Sequence, residues 1–324
     1  MGLNLMSAAA MAVGAIPSEV VLSYGAAGLV LAAALVTMLA RGEWDKSGGP
    51  EGLRGPDKAG TPILDRLVLL GPLFYAMPIA AFGMEHFTEA KGIASIVPGW
   101  IPWHLFWVYL LGACFIAAAL SLVTGIGTRL AASLLALTFF LFVVLMDAPG
   151  WIANPRDRIS MALMLRELSF CAGPLALAAS LSAEKYPRIA RIDLTAARIF
   201  IAVTALVYAV EQFLHADCVP AVPLERVTPT WIWGHTMWAY VAAVAYVVTG
   251  ALLLIGKKTH AAATWLGLTV LVVEIAVYAP IGWAGRASLG DGLNYVMDTL
   301  MFCGTVLLLA GALPGKRQAS KPAG

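Results

Sequence analysis

A chain of 324 residues that is 60% hydrophobic, only 12% charged and has a mean hydropathy of +0.82 carries more apolar surface than a water-soluble fold of that length can bury. The remainder belongs against lipid. A formal charge of +2 gives no electrostatic footprint for nucleic acid, and no nucleic-acid partner is expected. Because unpaired backbone groups are excluded from hydrocarbon, apolar runs of this length read as helices and not as the short alternating segments of a barrel. The expected fold class is all-α: a polytopic membrane protein with about nine transmembrane helices.

In chain order, apolar runs fall at 20–40, 63–84, 103–123, 129–148, 159–181, 194–214, 235–255, 260–280 and 292–313, each near the ~20 residues that a bilayer demands. The first lies too far from the N-terminus, and lacks the basic flank, to read as a cleaved signal peptide. A retained helix is expected there. The segment 41–62, rich in Gly and Pro with charges of both signs, reads as a linker. Three divisions follow: 1–62 with the first helix and linker, 63–187 with four helices, and 188–324 with four more and the tail.

One set of connections holds Arg41, Lys46, Arg54, Lys58, Arg129, Lys185, Arg188, Arg191, Lys257 and Lys258, with Lys316, Arg317 and Lys321 in the tail. The other holds Lys91, Arg156, Arg158, Arg226 and Arg286. By the positive-inside rule the N-terminus faces outward and the C-terminus the cytoplasm, in a cell (inner) membrane. The cysteines Cys114, Cys171, Cys218 and Cys303 form no CxxC pair. Three fall inside expected helices as small buried apolar residues, and Cys218 alone falls in an outer connection.

The sequence repeats. Pro98-Gly-Trp-Ile-Pro-Trp-His-Leu-Phe-Trp-Val-Tyr109 aligns with Pro229-Thr-Trp-Ile-Trp-Gly-His-Thr-Met-Trp-Ala-Tyr240 at an offset of 131 (231 − 100). That offset holds through Gly125/Gly256, Thr128/Thr259, Leu135/Leu266 and Pro149/Pro280. Upstream, Glu85-His-Phe87 aligns with Glu211-Gln-Phe213 if the second copy has gained a few loop residues, and Glu167 falls opposite Asp298. Two tandem four-helix bundles, plus the N-terminal helix, are therefore expected. An even number of crossings per unit makes the copies parallel, related by an axis along the membrane normal.

Ionisable side chains inside spans are costly and mark candidate sites. Glu85, His86, Glu167, Glu211, His215, Glu274 and Asp298, with His104 and His235 opening their helices, all lie toward one membrane face, as does Asp147. Tyr208, Glu211 and His215 share a helix face by spacing, as do Glu274 with Tyr278 and Asn294 with Asp298. The second copy thus offers Glu211, His215, His235, Glu274 and Asp298 as a converging set, with the first copy mainly structural and its Arg166 and Glu167 neutralising each other or pairing with Glu85. Mixed carboxylates and imidazoles suit a divalent metal, a proton relay or a quinone carbonyl. Against this, the Trp-x₃-His-x₂-Trp-x-Tyr pattern is also what an aromatic belt at the headgroups looks like. No phosphate-binding glycine loop, nucleophile elbow, HExxH or CxxCH is present, and no metal site is assigned.

Phe82-Gly-Met-Glu-His-Phe87, the 98–109 segment, Gly127-Thr-Arg-Leu-Ala-Ala132 and Arg166-Glu-Leu-Ser-Phe-Cys-Ala-Gly173 resemble the DoxX/DoxD superfamily of four-helix membrane proteins. The resemblance is closest in the first copy; in the second, Glu211-Gln-Phe213 and Lys257-Lys-Thr-His260 depart from it. It implies a membrane subunit associated with an oxidoreductase system, quinone as a possible ligand, and redox-complex subunits as possible partners. By position it directs attention to Glu85, His86, Arg166 and Glu167, with Glu211, His235 and Asp298 as their counterparts. A small-solute or ion transporter and a non-catalytic assembly subunit remain open beside it.

Overall fold

The structure, a computed structural model, describes residues 16–41, 63–222, 225–286 and 288–314. The expected linker, from position 42 onward, and the basic tail lie outside the described residues. In chain order the helices are α1 (Ser18–Arg41), α2 (Ile63–Val68), α3 (Gly71–Thr88), α4 (Ala90–Ile96), α5 (His104–Thr124), α6 (Thr128–Phe142), α7 (Ala148–Ala153), α8 (Arg158–Ser182), α9 (Pro187–Leu214), α10 (His235–Leu254), α11 (Thr259–Val273), α12 (Ala279–Ala284) and α13 (Asn294–Ala312). Among the described residues nine helical segments are long and apolar enough to cross a membrane. This is an all-α, polytopic integral membrane protein.

Local chemistry sets the element ends. Asp157 caps α8, its carboxylate accepting from Ile159 N at 3.0 Å and Ser160 N at 3.3 Å, which occupies two of the donors that a helix start leaves unpaired. Pro187 opens α9, where its missing N–H costs nothing. Two spans run past the ends expected for them. Pro149 and Pro280 do not stop their helices; each is preceded by a π turn, Val143–Asp147 and Glu274–Tyr278, and followed by a further helical turn and a half in α7 and α12. The wider turn lets Ala148 N bond to Val143 O and Ala279 N to Glu274 O, so the helix absorbs a residue that has no N–H to give.

The repeat is present in three dimensions at the offset read from sequence. The two π turns lie 131 positions apart, residue for residue, as do α6 and α11, and α7 and α12. Left-handed residues recur with them: Trp103 and Gly234 (φ 57° and 64°), Gly125 and Gly256 (76° and 74°), Gly127 and Lys258 (67° and 50°). Trp107 Nε1 donates to Pro102 O at 3.1 Å and Trp238 Nε1 to Trp233 O at 3.0 Å, the same bond in each copy.

The two units interlock. Following the chain, α3, α5, α6, α8, α9, α10, α11 and α13 each pack on the next, and α13 returns to α3, while α8 and α13 meet across the middle. Each unit's last helix thus packs on the other unit's first. Glycines permit the closest approaches: a Cβ on Gly304 would lie 2.4 Å from Tyr75 N, and one on Gly173 would lie 2.8 Å from Thr305 Cα. Helix α1 stands outside the repeat and packs on α3 and α5.

The cysteine expectation needs correction at one position. Cys171 and Cys303 are buried, but Cys114 is exposed on α5; Cys218 lies in the α9–α10 connection and is buried there. Helix burial depends on which face meets a neighbour, and that is not given by position within a span.

Candidate functional site

The polar residues of the spans sort into separate groups at one end of the bundle. The largest group lines a cavity of about 560 Å³ in the first unit, between α3, α5, α6, α8 and the start of α13. Its walls are aromatic and aliphatic: Phe82, Trp107, Phe115, Phe139, Phe142, Phe170 and Tyr295, with Ile93, Ile96 and Val97 of the short helix α4 and the residue after it at the mouth. Its polar groups are Glu85, His86, Asp147, Arg166, Glu167, Asn294 and Asp298. Four carboxyl groups therefore face one guanidinium.

Arg166 organises them. Its Nη1 lies 2.7 Å from Asp298 Oδ2 and its Nη2 lies 2.9 Å from Glu167 Oε1. Glu167 and Asp298 are counterparts at the 131 offset, so one guanidinium bridges the two copies of the same acidic position where α8 and α13 meet. The guanidinium also lies 5.9 Å from the centre of the Phe170 ring. In a low-dielectric site a bridged arginine satisfies two carboxylates at once, whereas an unpartnered charge there is costly. Of the two pairings expected for Arg166, the one with Glu167 forms; no bond to Glu85 does. The Asp298 bond was not foreseen.

His86 owes its place to the crossing of α3 and α5, where a Cβ on Gly112 would lie 2.7 Å from His86 Cβ and 2.8 Å from Gly83 O. Its Nδ1 donates to Phe82 O at 2.7 Å, which leaves Nε2 of the neutral ring as an acceptor. Asp147 reaches the cavity because it ends the first π turn. Four polar atoms here have no protein partner: Glu85 Oε1, Asp147 Oδ2, Asn294 Oδ1 and the Nε of Arg166. Buried polar atoms are normally hydrogen-bonded. These atoms are themselves buried, but the side chains that carry them line the cavity, which therefore sets one guanidinium and several acceptor groups against aromatic walls, the makings of a site for a small amphipathic molecule.

The converging set expected in the second copy does not form. Glu211 takes Arg158 at 3.4 Å and His215 at 4.0 Å. Glu274 is buried in the second π turn, its Oε2 without a partner, away from that pair. Asp298 turns to Arg166 in the first unit, and His235, like His104, opens its helix without lining the cavity. The cavity lies in the first copy, the half expected to be mainly structural. Sequence spacing sorts side chains around one helix but not between helices, and α13 presents Asp298 to α8. Among the described residues no three acidic, histidine or cysteine side chains are grouped as metal ligands.

The second unit fills the corresponding space. Its α9–α10 connection is five residues longer than α3–α5, the offset growing from 126 (211 − 85) to 131 (235 − 104), and residues 218–222 of this connection are all buried. Tyr278, counterpart of Asp147, donates its hydroxyl to Pro220 O at 2.5 Å, and Gln212, counterpart of His86, accepts from Ala221 N at 3.4 Å. Tyr208 and Tyr246 stand where the first unit has Phe82 and Phe115, both fully buried. The buried segment fits imperfectly: Ala221 has φ 72°, and Gln212 Nε2 and Thr228 Oγ1 have no partners, each such defect costing on the order of 1–3 kcal/mol. Arg158 Nη2 lies 3.7 Å from Cys218 Sγ. Burial, with Asp217 beside it, pushes the Cys218 thiol up against the opposing pull of Arg158.

Comparison of the chain with protein-family models, with curated proteins and with solved structures gave no match.

Proposed function

We propose that this integral membrane protein binds the head group of a quinone in the first-unit cavity, as a membrane subunit of an oxidoreductase system. The observation that carries the reading is the set of incompletely paired polar side chains, Glu85, Asp147, Arg166 and Asn294, that line an aromatic-walled cavity. A quinone ring stacks on aromatic walls, its carbonyl accepts from a donor such as the Arg166 guanidinium, and its reduced form donates to carboxylates such as those of Glu85 and Asp147. The DoxX/DoxD-like motifs Phe82–Phe87 and Arg166–Gly173 support it, since their Glu85, His86, Arg166 and Glu167 are all cavity residues. In this reading the membrane is the inner membrane, with the cavity in the outer leaflet and the C-terminus in the cytoplasm.

Native protein purified in mild detergent, extracted and analysed by mass spectrometry, is expected to hold quinone at up to one per chain, and co-purified redox subunits would identify the complex. Glu85→Gln should lower the bound amount. Quinone-free wild-type protein that also fails to bind added quinone would reject the reading.

A second reading, a carrier of small cations, is favoured by the four carboxyl groups facing one guanidinium. Beneath the cavity, however, Tyr75, Ile79, Phe302 and Leu307 are fully buried and close the core. Proteoliposome uptake that is lost in Asp298→Asn would support it over quinone binding.

A further inference from the structure

We infer that the second unit contains a ligand site equivalent to the first-unit cavity, that residues 218–222 are its tethered occupant, and that releasing this segment opens the site to the same class of ligand. The inference rests in part on the reading of the cavity as a quinone-type site.

Three observations carry it. The first is positional: the two side chains that hold the segment, Tyr278 and Gln212, are the counterparts of Asp147 and His86, two cavity-lining residues. A peptide carbonyl and a peptide N–H thus occupy the hydrogen-bonding positions that are open to a ligand in the first unit. The second is its origin, since the five extra residues of the connection fall between Phe213 and Pro229, the stretch that contains this segment, while the shorter connection in the first unit folds as α4 beside the cavity. The third is the quality of the fit. A permanent core segment would be expected to satisfy its surroundings, yet this one holds Ala221 in the left-handed region and leaves Gln212 Nε2 without an acceptor.

The segment is also placed to respond to the first cavity. Arg226, on the strand of chain returning from it, lies 4.8 Å from the centre of the Tyr295 ring, and Tyr295 lines that cavity. Cys218, at the head of the segment and buried, supplies a reporter of its position.

The test uses the full-length protein in detergent, a water-soluble short-chain benzoquinone as probe, and a maleimide whose attachment to Cys218 is read by peptide mass spectrometry, the other cysteines staying in place. Tyr278→Phe with Gln212→Ala removes both tethers; Val219→Asp with Val222→Asp expels the segment without touching the bundle and serves if the first pair fails to fold. In either variant Cys218 labelling is expected to rise at least tenfold, and bound probe to increase by one per chain over wild type. Probe bound at zero in wild type and one in the variants would support the second site while rejecting the quinone reading of the first. Unchanged labelling would show the segment to be fixed core, and faster labelling with no added probe binding would show that no site lies beneath it; either result overturns the inference.

Discussion

Arg166 and Asp298, 132 positions apart in the chain, form a 2.7 Å ion pair that ties the closing helices of the two units together beside the cavity. Removing one partner of such a pair leaves the other without compensation at a cost of about 3 kcal/mol. Arg166→Met, which strands both Glu167 and Asp298, is expected to lower thermal stability in detergent more than Asp298→Asn. Arg166→Lys should rescue only partly, because an ammonium cannot span both carboxylates as the planar fork does. Equal melting temperatures for all three variants and wild type would contradict this.

Ligand binding should separate the two groups of acidic residues. Glu85→Gln and Phe142→Ala alter the cavity wall and are expected to weaken quinone binding tenfold or more. Glu211→Gln, in the Arg158 and His215 group outside the cavity, should leave it unchanged. Titration of each purified variant with the short-chain probe distinguishes them.

Packing at the unit junction is sensitive to a single methyl group. In Gly304→Ala the new Cβ would meet the backbone of Phe74 and Tyr75 within 2.7 Å, and backbone cannot step aside cheaply. A loss of about 1–3 kcal/mol is expected. Gly250→Ala, whose nearest contact is the Leu206 side chain at 3.1 Å, should cost less. Chemical denaturation of both variants provides the comparison.

Acid should weaken the start of α8. Hydrogen bonds from the Ser160 side chain and backbone, with further help from Ile159 N and Arg158, hold the Asp157 carboxyl below the usual carboxylate range. Such a depressed group contributes stability that is fully present above its unfolded value near 4 and is lost as pH falls through the lower folded value. Asp157→Asn keeps a capping oxygen but does not titrate. Its melting temperature should therefore lose less than that of wild type between neutral pH and pH 3.

The repeat was legible in the chain because its anchors are residues with few substitutes: the Trp and Tyr pattern of the connection and the Gly125/Gly256 turn recur at one spacing. The cavity was legible only in part. Glu85, His86, Glu167 and Asp298 stood out as polar residues in apolar spans, but their partners depend on the docking of α8 against α13, which no spacing within a helix encodes. Arg166 was legible as a partner for Glu167, but nothing in its position along α8 showed that it would also hold Asp298 across the junction of the two units. Nothing in the sequence separates the aromatic wall of Phe115, Phe139 and Phe142 from ordinary core. Nor did the longer second connection announce that Val219 and Val222 would be buried, since its flanking Asp217, Glu225 and Arg226 read as a solvated loop.

The paired π turns give the duplication a history. A π turn is an α-helix that has taken in one extra residue, and both units carry it at the same position, each followed by Ala-Pro. The single ancestral unit therefore already possessed it when the copying occurred. The five-residue difference in the connections exists between the copies and so arose afterwards. The shared bend is inheritance; the connection is divergence, buried in one half of the molecule and short beside the cavity in the other.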